Sequence, residues 1–232
     1  MQCQLWYRQG GTNVNKLAII HTTAVTIPLL KELASEILPG CTLLHWLDDS
    51  ILSQLREGDE AAVQTVANKW STYARYAEEA GAECILSACS SVGDIAERAA
   101  GTVSVPVVRI DDAMADLAVS RGRRIGVAAT LETTMRPTLN LLHRKAADQQ
   151  DSIQLIPLVV SEAYAKLMDG DQKGHDELLA EQLQQLAQQC EVVVLAQASM
   201  SRVIPALPKE IGSRILTSPR LGMERLKQLY FT

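Results

Sequence analysis

Cys89 is the residue of this 232-residue sequence with the clearest capacity for chemistry. It ends a short apolar run and is followed by Ser90, Ser91 and Gly93, which is typical of a strand that leads into a helix. The partial positive charge at a helix N-terminus lowers a thiol pKa, and a thiolate can act as a base or a nucleophile. The alternative is a small, buried, unreactive cysteine, because free thiols are commonly core residues.

Hydroxyl residues occur at several other predicted junctions between a strand and a helix. Their hydroxyls, with the unpaired amides of a helix N-terminus, suit a carboxylate. For each residue taken alone the alternative is N-capping, which needs no ligand. The convergence of several junctions favours a binding site. The candidate carboxylate-binding residues are Thr22, Ser90, Ser91, Thr130, Thr133, Thr134 and Ser199.

His21 and Glu162 are candidates for a second catalytic group. His21 ends the first predicted strand, and an imidazole with a pKa near neutrality can act as a general base or donate to a substrate. Glu162 follows a later strand and can aim a carboxylate at a ligand. A satisfied histidine at a strand end and a solvated glutamate at a helix start are the alternatives.

No metal or cofactor is expected. The acidic pairs Asp48–Asp49 and Asp111–Asp112 lie beside strand ends, but without histidines or further acids at ligand spacing they indicate capping or solvated residues. His175 is interpreted as part of a helix start. The sequence has no glycine-rich loop of the kind that binds phosphate.

The composition indicates a globular protein with a small ligand. Hydrophobic residues make up 47% and charged residues 21%, which excludes disorder. The net charge is -5, and scattered basic residues exclude an electrostatic surface for nucleic acid or an anionic membrane. No apolar run approaches the roughly 20 residues that cross a bilayer.

The cysteines and the N-terminus favour the cytoplasm. Five cysteines without CxxC or Cys/His metal spacing fit reduced thiols rather than a disulfide framework or a zinc site. Residues 1–15 lack the apolar segment of a secretory signal. Cys41, Cys84 and Cys190, within or beside strands, are interpreted as buried small residues.

Hydrophobic periodicity predicts strands that alternate with helices, and therefore parallel sheets with crossover helices. The predicted strands cover 17–21, 42–47, 84–88, 105–110, 125–129, 153–160, 192–196 and 215–217. The predicted helices cover about 27–37, 60–80, 92–99, 111–120, 134–147, 176–189 and the C-terminus, with Gly81 as a C-terminal cap.

The same order of elements restarts at residue 125, which indicates an internal duplication. An offset of 109 places Pro28 on Pro137 and Ser90 on Ser199, and it places Cys89 on Ala198. The repeat predicts two α/β lobes, 1–112 with the helix 219–232 packed back onto it, and 113–218. A ligand is expected in a cleft between them, beyond the carboxyl ends of the strands.

These segments resemble the cofactor-independent aspartate/glutamate/hydantoin racemase superfamily over about 17–229. The resemblance rests on the order and spacing of four stretches, which are ILSACSSVGD at 85–94, VPV at 105–107, RIGVAAT at 124–130 with the threonines at 133–134, and VVLAQASM at 193–200.

The resemblance implies two pseudo-symmetric lobes, each a mostly parallel sheet flanked by helices, without pyridoxal phosphate. It also implies a cleft for a small carboxylate. Family racemases place a cysteine at the equivalent strand end of each lobe, one to remove the α-proton and one to protonate the opposite face. Cys89 matches the first cysteine. The second falls on Ala198, which has no proton to give, and Glu162 looks like the acid that assists it.

This departure conflicts with racemisation by two thiols unless Glu162, His21 or a bound water serves the second face. Arylmalonate decarboxylase, a relative, works with one cysteine but retains the one in the second lobe. The expected function is therefore an isomerase that uses the Cys89 thiolate on a small carboxylate. A single-cysteine lyase and a non-catalytic carboxylate-binding protein are the alternatives.

The resemblance also suggests a homodimer as the assembly. Five aromatic residues offer an apolar contact for it, and core packing explains Trp70, Tyr73 and Tyr76 equally well. These residues are Trp6, Tyr7, Trp70, Tyr73 and Tyr76.

Overall fold

The computed structural model describes residues 14–231, which fall into two compact units. Unit 1 contains the described residues up to Ile110 and those from Pro219 onward, and unit 2 contains Asp111–Ser218. Trp6 and Tyr7 lie outside the described residues. Within residues 14–231, no helix has both the length and the apolar composition of a membrane span.

Unit 1 is a four-stranded parallel sheet in the order β2-β1-β3-β4, flanked by helices. Its strands are β1 (Lys16–His21), β2 (Thr42–Leu47), β3 (Cys84–Ser87) and β4 (Val107–Arg109). Its helices are α1 (Thr26–Ile37), α2 (Ser50–Glu57), α3 (Glu60–Glu79), α4 (Gly93–Ala99) and α10 (Ser218–Tyr230), with short 3₁₀ helices at Ser90–Val92 and Ala100–Thr102.

The core of unit 1 follows from the two-residue period of its central strands. Leu17 and Ile19 of β1 share a buried cluster with α1 and α10, which contributes Met223. Ala18 and Ile20 point to the other face and pack with α3, whose Trp70 is fully buried. Because both faces are covered, β3 is buried along its whole length. Trp70 is therefore a core residue, whereas Tyr76 is 53% exposed.

Unit 2 has a second four-stranded parallel sheet, in the order β6-β5-β7-β8. Its strands are β5 (Arg124–Ala129), β6 (Gln154–Val159), β7 (Val192–Leu195) and β8 (Ile215–Thr217). Its helices are α5 (Asp112–Arg121), α6 (Glu132–Asp148), α7 (Ser161–Met168), α8 (Gln172–Ala187) and α9 (Lys209–Gly212), with a 3₁₀ helix at Ala198–Ala206. The predicted α/β class with two parallel sheets is confirmed.

The sheets of the two units repeat each other with an offset of 108 residues. Leu17 pairs with Cys84 in unit 1, and Ile125 pairs with Val192 in unit 2. A loop contact repeats as well. The Glu83 carboxylate accepts a hydrogen bond from the amide of Lys16, and the Glu191 carboxylate accepts one from the amide of Arg124.

The predicted offset of 109 is therefore wrong by one residue. The strands that carry the site shift by 108, so the counterpart of Cys89 is Gln197, and Ala198 corresponds to Ser90. Both Cys89 and Gln197 have extended backbones and directly precede a 3₁₀ helix. A one-residue error arises easily, because short buried strands carry similar apolar residues at every position. The second position still lacks a thiol, but the residue there is a glutamine.

Candidate functional site

Cys89 lies just beyond the carboxyl end of β3, the strand next to β1 in the sheet. Its backbone is extended, with φ -137° and ψ 123°, and a 3₁₀ helix begins at the next residue. The Cys89 side chain is half-buried, whereas Ser90 and Ser91 are buried. The thiol therefore lies at the carboxyl end of a central strand, where parallel sheets bind their ligands.

The other described cysteines differ from Cys89 in their surroundings. Cys84 lies inside β3 with no exposed surface, and Cys190 is almost as buried. Burial raises the pKa of the thiols of Cys41, Cys84 and Cys190. Because the thiolate is the reactive form, a raised pKa makes a thiol less reactive. Cys84 and Cys190 are buried as expected, whereas the expectation of burial is wrong for Cys41, which is half-buried.

Arg109 supports the segment that follows Cys89. This β4 residue is only 4% exposed, and its Nη1 lies 2.9 Å from Asp94 Oδ1 and 3.2 Å from Glu97 Oε1. Its guanidinium also packs on Gly93, where an added Cβ would lie 2.2 Å from Arg109 Cζ. Only glycine leaves room for the guanidinium, so Gly93 and Arg109 fix the start of α4.

His21 ends β1 and is completely buried. Its Nδ1 lies 2.7 Å from Thr26 Oγ1, whose own proton is donated to the Thr23 carbonyl oxygen at 3.1 Å. Nδ1 is therefore the donor, and Nε2, 2.9 Å from His45 Nδ1, is the acceptor. This tautomer is inferred from the hydrogen bonds. Burial, assisted by His45, lowers the pKa of His21 to about 4, so the ring is neutral near pH 7.

Thr22 follows His21 and has a buried hydroxyl whose hydrogen bonding is unusual. The residue is 1% exposed, and within the part of the chain that the structure describes its Oγ1 has no hydrogen-bond partner. Such a buried hydroxyl costs about 1–3 kcal/mol of stability. Orphaned polar groups of this kind require an explanation, and a ligand that supplies the missing partner is one.

In the predicted acidic pair Asp48–Asp49, the Asp48 carboxylate already has partners within the protein. Ser50 and Tyr73 donate hydrogen bonds to the Asp48 carboxylate, and Lys69 Nζ lies 3.3 Å from its Oδ2. Burial alone would raise the pKa of Asp48, but these partners hold it below its usual value. Burial and the Asp48 carboxylate raise the pKa of Tyr73 to about 12. Within residues 14–231, no three His, Cys, Asp or Glu residues are grouped to bind a metal.

In unit 2, Gln197 stands at the strand end that repeats the Cys89 position of unit 1. Its carboxamide Oε1 accepts hydrogen bonds from the Thr130 amide at 2.6 Å, the Thr130 hydroxyl at 3.1 Å and the Leu131 amide at 3.3 Å. The sequence pattern predicts that the Thr130 groups bind a ligand carboxylate. In the structure a side chain of the protein already occupies them, and sequence reasoning missed this residue.

The remaining predicted site residues of unit 2 differ from one another in burial and in hydrogen bonding. Thr134 is buried in α6, and the Thr133 hydroxyl is buried without a partner among the described residues. Ala198 and Ser199 are half-buried at the start of a 3₁₀ helix. Glu162 is exposed in the first turn of α7. His175, buried in α8, places Nδ1 2.7 Å from Asp176 Oδ1.

The predicted site residues thus form one group in each unit. In unit 1, adjacent strands β1 and β3 present His21 and Thr22 beside Cys89 and its two serines, and the Ala88 amide donates to the Ile20 carbonyl at 3.0 Å. In unit 2, β5 and β7 present Thr130 and Gln197 in the same relationship. Only unit 1 carries a thiol in its group.

Fold and site define a class of α/β protein with two repeated parallel sheets and a cysteine at a strand end. The sequence matches the Asp/Glu/Hydantoin racemase family over residues 16–226, and the chain belongs to that family. A search of curated protein sequences found no match.

Solved structures share the fold at low sequence identity. An aspartate racemase homologue from Pyrococcus horikoshii OT3 is 20% identical with a TM-score of 0.66, and 93% of this chain and 98% of that chain align. The Picrophilus torridus aspartate racemase is 16% identical with a TM-score of 0.65, over 92% and 93% of the two chains. Arylmalonate decarboxylase is 13% identical with a TM-score of 0.56, over 92% of each.

Proposed function

We propose that this protein is a cofactor-independent isomerase that removes a proton next to the carboxylate of a small substrate, with the Cys89 thiolate as the base. The observation that carries the proposal is the arrangement in unit 1. A half-buried cysteine and a threonine with an orphaned, buried hydroxyl stand at the ends of two adjacent strands.

The chemistry needs a base and donors for the charge that develops on the substrate. When the thiolate takes the α-proton, the C–H electron pair moves into the carboxylate and forms an enolate. Fixed hydrogen-bond donors stabilise such a charge most when they are already oriented. Thr22, Ser90 and Ser91 supply hydroxyls in unit 1, and Thr133, Thr134 and Ser199 stay the predicted carboxylate-binding residues of unit 2. For a substrate whose α-carbon adjoins a C=O or C=C bond, the Cys89 thiol then returns its proton on the same face to the far atom of the conjugated enolate, which completes the isomerisation. Return of the proton to the α-carbon gives exchange with retained configuration.

Protonation is proposed to occur on one face of the substrate. The residue that repeats Cys89 is Gln197, whose carboxamide has no acidic proton at neutral pH. Both ring nitrogens of His21 are engaged and its pKa is lowered to about 4, so we assign it the role of positioning the β1–α1 junction. Glu162, exposed in the first turn of α7, is the predicted acid for the opposite face, and its use would give racemisation in place of retained configuration.

The selective alkylation of Cys89 tests the proposal in the intact protein. Iodoacetamide should modify Cys89 faster than Cys41, Cys84 and Cys190, because burial raises the pKa of those three thiols. Peptide mass spectrometry after timed quenching measures each rate, and malonate, as a carboxylate probe, should slow the reaction at Cys89. Equal rates at Cys89 and at the three compared cysteines would contradict a catalytic thiolate.

A lyase is the second candidate function, because arylmalonate decarboxylase shares the fold. In that reaction the bond to a carboxylate breaks, CO₂ leaves, and the Cys89 thiol protonates the enolate. CO₂ release from substituted malonates distinguishes it from proton exchange. A carboxylate-binding protein without catalysis would retain malonate binding in Cys89→Ala and show neither reaction.

The assembly and location are proposed on the family resemblance. We propose a cytoplasmic homodimer, in which the exposed ring of Tyr76 on α3 is available for a contact. Sedimentation equilibrium of wild type and Tyr76→Ser tests this assembly. A monomeric wild type would overturn it.

A further inference from the structure

The Gln197 carboxamide occupies a site that is built to bind an oxygen atom. Three donors of the β5–α6 junction converge on its Oε1, at 2.6, 3.1 and 3.3 Å. Two of them are backbone amides at the start of a 17-residue helix, where the helix dipole favours partial negative charge. An arrangement of two amides and a hydroxyl is what a carboxylate or enolate oxygen requires. We call these three groups the unit 2 oxygen cradle.

The parallel pairing explains how Gln197 reaches the cradle. β5 and β7 are neighbours, and the Ala196 amide donates to the Ala128 carbonyl oxygen at 2.9 Å just before both strands end. The glutamine side chain, with two methylenes before its amide, spans the distance between the strand ends. Its oxygen is thus held by groups of the next strand.

Unit 1 repeats this backbone arrangement with different side chains. The Ala88 amide donates to the Ile20 carbonyl at 3.0 Å, as Ala196 does to Ala128. With the offset of 108, Thr22 repeats Thr130 and Cys89 repeats Gln197. Cysteine ends one bond beyond its Cβ and carries no oxygen.

The state of Thr22 agrees with this comparison. In unit 2 the Thr130 hydroxyl donates to Gln197, whereas the repeated hydroxyl of Thr22 is buried and without a partner among the described residues. The two hydroxyls therefore differ in whether a side-chain oxygen of the neighbouring strand end accepts a hydrogen bond from them.

We propose that Thr22, with the amides of Thr22 and Thr23, forms an open subsite for one oxygen of a small carboxylate, and that Gln197 closes the corresponding cradle of unit 2 as a resident ligand. The substrate class rests on the proposed function. The subsite lies at the end of β1, the strand next to the one that ends at Cys89. The chain therefore binds one carboxylate oxygen in unit 1 and none at Thr130.

Backbone amide shifts of ¹⁵N-labelled protein test the proposal with malonate as the probe. In the wild type, malonate should shift the amides of Thr22 and Thr23 and leave those of Thr130 and Leu131 in place. Thr22→Val should weaken malonate binding about tenfold or more, because a hydrogen bond to a charged group is lost. Thr138→Val is the matched control, since this buried hydroxyl donates to the Thr134 carbonyl within α6.

A more specific test removes the Gln197 oxygen from the unit 2 oxygen cradle. Gln197→Met keeps the length of the side chain but removes its oxygen, so malonate should then shift Thr130 and Leu131 as well. Gln197→Glu keeps an oxygen in the cradle and should add no second site. Malonate shifts at Thr130 in the wild type, or their absence at Thr22 in the wild type, would overturn the inference.

The same titration of Cys89→Ala separates this inference from the proposed function. Malonate shifts at Thr22 in that variant support the oxygen subsite whether or not the wild type exchanges any α-proton. If the wild type catalyses exchange but malonate leaves Thr22 and Thr23 unchanged, the oxygen subsite is wrong and the thiolate chemistry stands.

Discussion

Gln197 Oε1 and the amide nitrogen of Thr130 are 2.6 Å apart, and the two positions that repeat them in unit 1 are Cys89 and Thr22. One unit therefore satisfies its strand-end donors with its own side chain, and the other carries a thiol beside an orphaned hydroxyl. The two strand ends thus share a backbone arrangement and differ in their side chains.

Thr22→Val should leave the free energy of unfolding unchanged or raise it by up to about 1 kcal/mol, because it replaces an unpartnered buried hydroxyl with a methyl group. Thr138→Val removes a hydroxyl that is hydrogen-bonded, and should lower the stability by about 1 kcal/mol. Urea denaturation of both variants measures the difference. A Thr22→Val protein that is less stable than Thr138→Val would show that the Thr22 hydroxyl has a partner.

Acid should destabilise the fold through His21. Its pKa falls from 6.5 to about 4 on folding, so between these pH values the unfolded chain binds a proton that the folded protein excludes. The contribution of His21 to stability is present above pH 6.5 and is lost as the pH falls towards 4. At pH 5 the loss amounts to about 2 kcal/mol relative to pH 7.

His21→Asn is the comparison for this prediction, because its amide does not titrate. The drop in the free energy of unfolding between pH 7 and pH 5 should be smaller in the variant, although His45, whose pKa is also lowered by burial, still contributes. Urea titrations at the two pH values measure it. Equal drops in both proteins would contradict a neutral, buried His21.

Gly93→Ala should destabilise unit 1 and slow the reaction at Cys89. Its Cβ would meet the Arg109 guanidinium, which is buried and paired with Asp94 and Glu97 and so has little freedom to move. Overpacking of this kind costs about 1–3 kcal/mol. Gly101→Ala, with no atom near its added Cβ, is the control and should have little effect. Thermal unfolding and iodoacetamide rates measure both effects, and identical behaviour of the two variants would argue against this packing.

Gln197→Cys should change the stereochemical outcome of the reaction. It removes the resident carboxamide from the Thr130 cradle and places a thiol at the position that repeats Cys89. On the family resemblance, a thiol there protonates the second face, so exchange with retained configuration in the wild type should become racemisation. Chiral chromatography after incubation in deuterated water measures this, with Gln197→Met as the control without a proton. Retention in both variants would exclude a role for this position in protonation.

Much of the fold could be predicted because the buried strands and amphipathic helices carry strong periodic signals. The strands at 42–47 and 215–217 have the predicted bounds, and the β3 strand is one residue shorter than expected. The helices α2 and α7, eight residues each, were missed because a short segment beside a strand end shows too little periodicity to separate it from a loop.

The position of the candidate site could be predicted from the sequence, but the hydrogen-bond partners of its residues could not. Cys89 and its serines were found because a cysteine at the end of an apolar run is a local signal. Gln197 was missed because its role depends on a strand 67 residues earlier in the chain and on a register that the sequence placed one residue too far. Likewise, no local pattern reveals that His21 has both ring nitrogens engaged.

Incorporation of α-deuterium in deuterated water tests most directly whether the Cys89 thiolate is the base. The wild type, Cys89→Ala and Cys84→Ala are incubated with amino acids, hydroxy acids, hydantoins and substituted malonates, and ¹H NMR follows loss of the α-proton. Exchange with retained configuration is expected in the wild type and in Cys84→Ala, and none is expected in Cys89→Ala. Exchange that persists undiminished in Cys89→Ala would contradict the assignment of the thiolate as the base.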